Sequence, residues 1–395
     1  SYRLTFDDGS EIEACADHLW LTYDIKELAA LTRRDPDWKA RRRAARPSRA
    51  KGNKSEAFRL SISARNSRDA VGAPLPSGSV RTTQEIVDTL RVRGRTNHAV
   101  PVAGSLDLPH AQLPVDPYVL GVWLGDGTKR SGGITGIDLD ILDHVEAAGY
   151  PVTHSAREAK RHYATGLVPH LRAAGVFNDK HVPASYLRAS SAQRRALLQG
   201  LMDTDGHAAL DGACEFDNTN RRLIDAVYEL VCSLGMKASI TEGRAKLYGK
   251  DCGAKWRVKF MAQGEVFKLQ RKQSRLKTTL RRTNRFRYIV KAELIEPVPM
   301  RCIAVDSPSR LYLAGKSFIP THNTDLLLGL ATTKHQRTVI FRSQSVDLVA
   351  LWERLQEIIP NPAKSDSQRK SMRLKDGRMI ETGHLDVPGS ERGWM

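Results

Sequence analysis

Apolar and polar residues alternate through SYRLTFDDGSEIEACADHLWLT, and the alternation is interrupted at Asp7, Asp8 and Gly9. A period of two on either side of a DDG turn predicts a β-hairpin, with a further strand reaching about Thr22. The next stretch, KELAALTRRDPDWKARRRAARPSRAKGNK, is helix-prone and ends in loop residues. Short strands then run to NHAVPVAGSLDLP, where prolines mark a boundary near residue 110. From about Pro117 to Arg285 amphipathic helices are separated by strand-like pieces, and after residue 286 short strands return in IVKAELIEPVPMRCIAVDSPSRLYLAG. The β-rich ends therefore read as one domain interrupted by an insert. The final run, TDLLLGLATTKHQRTVIFRSQSVDLVALWERLQEII, predicts helix, strand and helix, and the change of character falls at PTHNT, Pro320 to Thr324.

Inside the insert two segments share a design. VLGVWLGDG (Val119 to Gly127) and LQGLMDTDG (Leu198 to Gly206) are each an apolar helix with Gly at the third position and Asp-Gly at the end, and they lie about 80 residues apart. One such Asp-Gly is most simply a helix cap with glycine in the left-handed conformation. The repetition points further, because glycines let two helices approach closely while Asp126 and Asp205 emerge side by side. Paired carboxylates bind a divalent metal such as Mg²⁺, which can activate water and stabilise the leaving oxygen in phosphodiester hydrolysis.

Charge supports a polyanionic partner. Lys and Arg total 62 against 44 Asp and Glu, a net charge of +18, which suits DNA, although a basic surface without a specific role stays open. The arginine-rich run before residue 54 is either a phosphate contact or a solvated face. The five cysteines are odd in number and scattered, with no CxxC pair, so neither a disulfide framework nor a zinc site is expected. The length of 395 residues suggests two or three domains. Without a long apolar run or a signal-peptide pattern, the expectation is a cytoplasmic protein of a bacterial or phage-infected cell with no membrane partner. The chain opens in mid-strand at Ser1 without an initiator Met, so an upstream segment is expected.

The paired motifs, with KHVPASYLRASSAQRRALLQGLMDTDG around the second, resemble the LAGLIDADG homing endonucleases. The resemblance implies an α+β domain over 111–285, a pseudo-symmetric monomer of two αββαββα-like halves. It implies that Asp126 and Asp205 hold Mg²⁺, one from each half, and that the partner is double-stranded DNA with a long, non-palindromic site. The first motif is the more degenerate, with Trp123 and Gly125 inside it. Lys259 in WRVKF is the candidate for the lysine that such enzymes keep near the active centre, its other reading being a surface lysine on a strand.

The β-rich ends resemble a different family. TFDDGSEIEACADHLWLT and MRCIAVDSPSRLYLAGKSFIPTHN are similar to blocks of the all-β Hint splicing domain of inteins, here 1–110 without its first block and 286–323. The combination of Trp20, Cys302 and Thr321 resembles the class 3 inteins. The resemblance implies that Cys302 attacks the upstream junction to give a branched thioester, with His18 protonating the departing amide nitrogen. Thr324 then accepts the upstream segment as an ester, and Asn323 cyclises and cuts the chain with His322 as acid/base. Trp20 and Thr321 shape the site, no cofactor is needed, and the flanking exteins act in cis. Cys15 stands where the family often has Thr, three residues before His18. With the upstream junction missing, cleavage at Asn323 is expected but ligation is not.

Residues 324–395 resemble the ATPase part of a phage terminase large subunit, a partial α/β P-loop segment entered between the P-loop Lys and Thr324. An ordinary α/β fragment is the plainer reading. The run AGKS, Ala314 to Ser317, is not itself a P-loop, since Arg310 stands where the loop needs glycine. Two rival functions follow: a DNA-packaging motor carrying a passive insert, or a DNA-binding insert with dead catalysis.

Overall fold

The computed structural model describes residues 1–34, 68–70, 78–136, 138–156, 158–277, 279–297, 311–322, 336–342 and 361–384, with isolated positions between 305 and 359. They fall into two compact units, one of Ser1–Ala16, Trp20–Glu296 and Leu313–Thr321, the other of Asp17–Leu19, Pro297–Tyr312 and His322–Met395. Most of the basic run that follows helix Ile25–Arg34 lies outside the described residues.

In the first unit Asp8 Oδ1 accepts from the Ser10 amide (3.1 Å) and Gly9 takes φ +82°, which closes the DDG turn. Strands Tyr2–Phe6 and Glu11–Ala14 pair across it. Tyr2–Phe6 also pairs with Phe286–Leu294, which in turn pairs with Ala99–Pro101, so one antiparallel sheet draws on residues before and after the insert. Its buried side is Leu4, Phe6, Val100 and Ile289, packed with Trp20, Ile86 and Ile319. The strand pair Leu311–Ala314 and Ile319–His322 is joined by a turn holding AGKS, with Gly315 at φ +66°. That turn leads into a strand, whereas a phosphate loop leads into a helix N-terminus.

The insert meets this sheet through charged side chains, one of which, Arg287, is buried. Asp8 and Arg287 form an ion pair of 2.6 Å with both side chains about 1% exposed, and Arg287 reaches Cys232 Sγ at 3.8 Å. Lys237 Nζ bonds Asp7 (2.7 Å) and the Phe286 carbonyl (2.8 Å). Arg194, wholly buried, donates to the carbonyls of Ala189, Ser233 and Leu106 and so ties the entering linker to the insert's helices.

Within the insert the second half runs helix Ser191–Thr204, strands Gly206–Ala208 and Ala213–Asn218, helix Arg221–Ser233, strands Ala238–Leu247 and Lys250–Met261, helix Gln270–Gln273, an αββαββα order. The first half departs from that order. After helix Pro117–Asp126 it has strand Gly133–Thr135, helix Leu139–Ala147, strands Val152–His154 and Arg161–Ala164, and helix Leu167–Ala173. A turn in which Thr128 bonds the Gly133 carbonyl (2.8 Å) follows directly on Gly127, so the missing strand is reduced to the single bridge Gly127 to Ile134.

The two motif helices pack backbone to backbone. A Cβ on Gly121 would collide with the Leu197 carbonyl and lie 2.9 Å from the Leu201 amide; one on Gly200 would collide with the Tyr118 carbonyl and lie 2.8 Å from the Val122 amide. Residues Tyr118 to Leu124 are all buried, as an apolar helix requires when it has no solvent face. The glycines of the two Asp-Gly pairs are not left-handed caps. Gly127 has φ −76° and Gly206 opens a strand; both are required because a Cβ would strike the chain behind, at Trp123 and Met202 respectively.

In the second unit strand Arg337–Arg342, the expected TVIF strand, pairs in parallel with Met379–His384, and Ser371–Arg373 and Lys364–Asp366 complete the sheet. Ile340, Trp352, Leu355, Met372 and Ile380 form its core. The helix expected from Thr324 lies outside the described residues. No helix among the described residues is long and apolar enough to cross a membrane.

Gly200→Ala should destabilise the first unit by about 3 kcal/mol, since backbone on the facing helix cannot yield as a flexible side chain would. Urea unfolding followed by circular dichroism reads this directly, and an unchanged midpoint would refute the close crossing.

Candidate active sites

Each acid is placed by a helix whose start is fixed by its own sequence. Asp116 accepts from the amides of Tyr118 (2.9 Å) and Val119 (3.1 Å), with Pro117 opening the helix that ends at Asp126. Ser190 and Gln193 form a capping box for the helix that ends at Thr204, with Asp205 as its C-cap. With the register fixed by Gly121 and Gly200, the two carboxyl groups share one neighbourhood. Burial first, and then the charge of Asp205, push Asp126 up from 3.8 to about 6. Burial likewise raises Asp205, which accepts a bond from Asn218 Nδ2 (3.2 Å).

Two lysines oppose that repulsion. Lys180 Nζ donates to the carbonyls of Leu124 and Gly125 (both 3.1 Å), and Lys272 Nζ to those of Met202 (3.0 Å), Asp203 (2.8 Å) and Gly206 (2.7 Å). Each therefore closes the C-terminal end of one motif helix, where a cation is favoured. Burial lowers Lys180 to about 8 and lowers Lys272 as well, while the charges of Asp126 on both and of Asp205 on Lys180 work the other way. Neither was found from sequence; the one available signal was that Lys180 begins the stretch KHVPASYLR. Lys259 lies instead on a strand, with Nζ 3.2 Å from Glu215. Asp203, between the motif's residues, is occupied structurally, accepting from Tyr118 Oη (3.0 Å) and from the amides of Lys268 (3.1 Å) and Leu269 (3.2 Å).

The oddities of the first motif have local causes. A Cβ at Gly125 would collide with Thr204, and Trp123, buried, donates to the Ser131 carbonyl (3.0 Å) beneath Lys180, whose Nζ lies 5.4 Å from the ring centre. No group of three or more His, Cys, Asp or Glu poised for a metal occurs among the described residues. The Asp126 and Asp205 pair nevertheless fits a hard divalent cation: two partly desolvated carboxylates whose mutual repulsion a double positive charge would relieve, with water completing the shell.

The other predicted set is only partly described, since Cys302, Asn323 and Thr324 lie outside the described residues. His18 and His322 come close enough that burial, and then the charge of His322, lower His18 to about 4. His18 is thus a neutral imidazole at physiological pH. Trp20 is fully buried and donates to Thr83 Oγ1 (2.9 Å), a partner that sequence reading missed because it lies 63 residues away. Thr321 is also buried, and Cys15 is half-buried.

Residues 192–286 match the LAGLIDADG-like domain family. The match falls on the second motif and the elements that follow it. That match holds Asp205 and Lys272, while Asp126 and Lys180 precede it. Over 391 residues the chain is 33% identical to a replicative DNA helicase DnaB from Mycobacterium intracellulare, covering 96% of this chain and 59% of that protein. It is 32% identical over 90 residues to DnaB of Mycobacterium leprae (strain TN), 22% of this chain and 14% of that protein. The chain thus spans 59% of the length of the first of these relatives. Among solved structures, mesophilic variants of the homing endonuclease I-DmoI are 15% identical, over 37% of this chain and 88% of theirs, with a TM-score of 0.25. I-DmoI in complex with DNA and Ca is 14% identical, over 37% and 82%, with a TM-score of 0.25. The terminase expectation for residues 324–395 is corrected by the DnaB relative, whose alignment takes in 96% of the chain.

Because its pKa is raised, Asp126 contributes to the stability of the metal-free fold fully below about 3.8, and the contribution is lost as pH rises through about 6. Asp126→Asn should therefore flatten the metal-free pH–stability curve between those values, measured by urea unfolding across pH 3.5 to 7. The same slope in both proteins would show that the carboxyl is not perturbed.

Proposed function

We propose that the chain is a large part of a DnaB-type helicase precursor interrupted by an intein, and that the intein carries a metal-dependent DNA endonuclease. The observation that carries the nuclease reading is the carboxylate pair at the ends of two glycine-crossed helices, closed on each side by a lysine. Asp126 and Asp205 hold a divalent ion, Mg²⁺ in the cell, which supplies water activation and charge stabilisation in phosphodiester hydrolysis. Lys180, brought down to about 8, is close to neutral pH in its titration and can hold or release a proton beside a developing oxyanion. Lys272 plays the matching role in the second half. The substrate is a long, non-palindromic duplex, since the two halves differ in structure.

Splicing rests on the PTHNT junction, on the sheet that joins residues before and after the insert, and on the proximity of His18 to His322. In this scheme Cys302 thiolate displaces the amide nitrogen at the upstream junction, and His18, whose neutral imidazole can pass on a proton, serves that nitrogen. The Thr324 hydroxyl then takes the acyl group from sulfur, releasing the thiol. Asn323 side-chain nitrogen attacks its own carbonyl, freeing the Thr324 amine, and acyl transfer from oxygen to nitrogen leaves an amide. A shaping role for Trp20 and Thr321 is supported by the resemblance to class 3 inteins. The similarity to DnaB supports a helicase as the host, resumed at Thr324.

Asp126→Ala and Asp205→Ala should each abolish Mg²⁺-dependent cleavage of a duplex containing the uninterrupted host sequence, and Lys180→Met should slow it by about 10²-fold. Plasmid cleavage on gels decides the matter; undiminished cutting in both aspartate variants would overturn the assignment. For splicing, intact-mass analysis of a precursor with its upstream segment restored should show ligated host and free insert. Asn323→Ala should accumulate the branched species and Cys302→Ala should abolish splicing, whereas normal splicing of Cys302→Ala would remove that cysteine from the mechanism.

A further inference from the structure

Helix Arg221–Ser233 of the insert turns one face toward the β-rich ends of the chain. Arg221, Asp225, Tyr228 and Cys232 recur at the spacing of a single helical stripe. Arg221 and Asp225 line an open cavity together with Gly9 and Lys316, and Cys232 lies against Arg287.

The contact at Tyr228 falls on the turn Gly315 to Phe318, which joins strands Leu311–Ala314 and Ile319–His322. Tyr228 Oη and Ser317 Oγ share a hydrogen bond of 2.7 Å, and both residues are buried. The next residue, Phe318, packs on the apolar core of the insert, whereas Ile319 packs in the core of the sheet with Leu4 and Trp20. Successive side chains of one short segment are thus held by two different cores. Phe318 takes φ +51°, a left-handed conformation that a bulky residue keeps only where its surroundings hold it. A turn left to itself would favour Gly or Asn at such a position. The contact with the insert accounts for Phe there.

We infer that Tyr228 is a positioning residue for splicing: with the insert core under Phe318 it clamps the turn 315–318 and so aims the strand that ends at His322, next to Asn323. Ile319, Pro320 and Thr321 are buried, so a turn held in place leaves the strand little freedom to swing. His322, at its end, lies near enough to His18 for its charge to act on that imidazole. Asn323 can attack its own carbonyl only while its side chain and His322 keep their relative placement, and reactions of this kind lose rate steeply with misplacement. The insert therefore contributes to the late steps without touching the reacting atoms. The inference rests on the proposed splicing reading, in which Asn323 cyclises with His322 as acid/base.

Hydrogen exchange followed by mass spectrometry reads the clamp in the chain itself. In Tyr228→Phe the backbone amides between 315 and 322 should exchange faster than in the parent, and those of Tyr2–Phe6 should not change. In the precursor with its upstream segment restored, Tyr228→Phe should form the branched species at the parental rate and resolve it roughly 2- to 10-fold more slowly, the range that one lost hydrogen bond gives. Should Tyr228→Phe fold poorly, Ser317→Ala removes the same bond from the side of the turn; the double variant should be no slower than either single one. Phe318→Gly is the sharper arm. Glycine suits φ +51° better than Phe, so a turn governed by its own backbone would resolve the branch as fast as the parent or faster, whereas loss of the anchor slows it. Parental exchange in Tyr228→Phe, parental resolution in Phe318→Gly, or equal slowing of branch formation and resolution would overturn the inference. A parent that forms no branch and never cleaves at Asn323 sinks the splicing reading and this inference with it; a parent and variants that splice equally well sink this inference alone.

Discussion

Everything in the insert depends on the closeness of Gly121 to Gly200. A methyl group on either would meet peptide atoms of the facing helix, so the crossing point is fixed to within the size of a hydrogen atom. From that point the two helices run to Asp126 and Thr204, so the crossing sets the backbone positions from which the Asp126 and Asp205 carboxylates project. The apolar residues around the crossing, buried throughout the first helix, exclude water and supply the desolvation that shifts the acids.

That arrangement is electrically costly, and the insert answers it with Lys180 and Lys272. Helix ends expose unpaired carbonyls, and placing two of them beside two carboxylates gathers negative charge in one partly dry region. Each lysine serves both needs at once, bonding the carbonyls of one helix end while its charge favours the acids' ionised forms. The halves thus reach the same solution with different partners, although their sheets have diverged.

How much of this was legible in the sequence follows from how local each cause is. The repeated GxxxxDG announced the helix pair and its acids, because both the close approach and the terminal carboxylates are encoded within nine residues. The lysines were not legible, since Lys180 and Lys272 act on carbonyls 55 to 70 residues distant and no spacing records that. Trp20 was singled out but its partner Thr83 was not, for the same reason. The shortened first half escaped notice because a tight turn at Thr128 and Gly133 differs from a longer hairpin only in where its hydrogen bonds close. The final segment read as terminase-like because a helix from Thr followed by a buried strand is the local signature of nucleotide-binding α/β folds in general.

The register that pairs Phe286 with Pro101 has a further consequence. The chain leaves the β-sheet and rejoins it at neighbouring positions, so the whole stretch between them could be replaced by a few residues of turn without moving a strand. Gain or loss of the insert as one cassette would thus be topologically easy. It would not be free of chemical demands, because Asp8 and Arg287 on the sheet are now roofed by Tyr228 and Cys232 of the cassette. A lineage that shed the cassette would leave that ion pair open to water, and those two positions are where its sequence would be expected to drift.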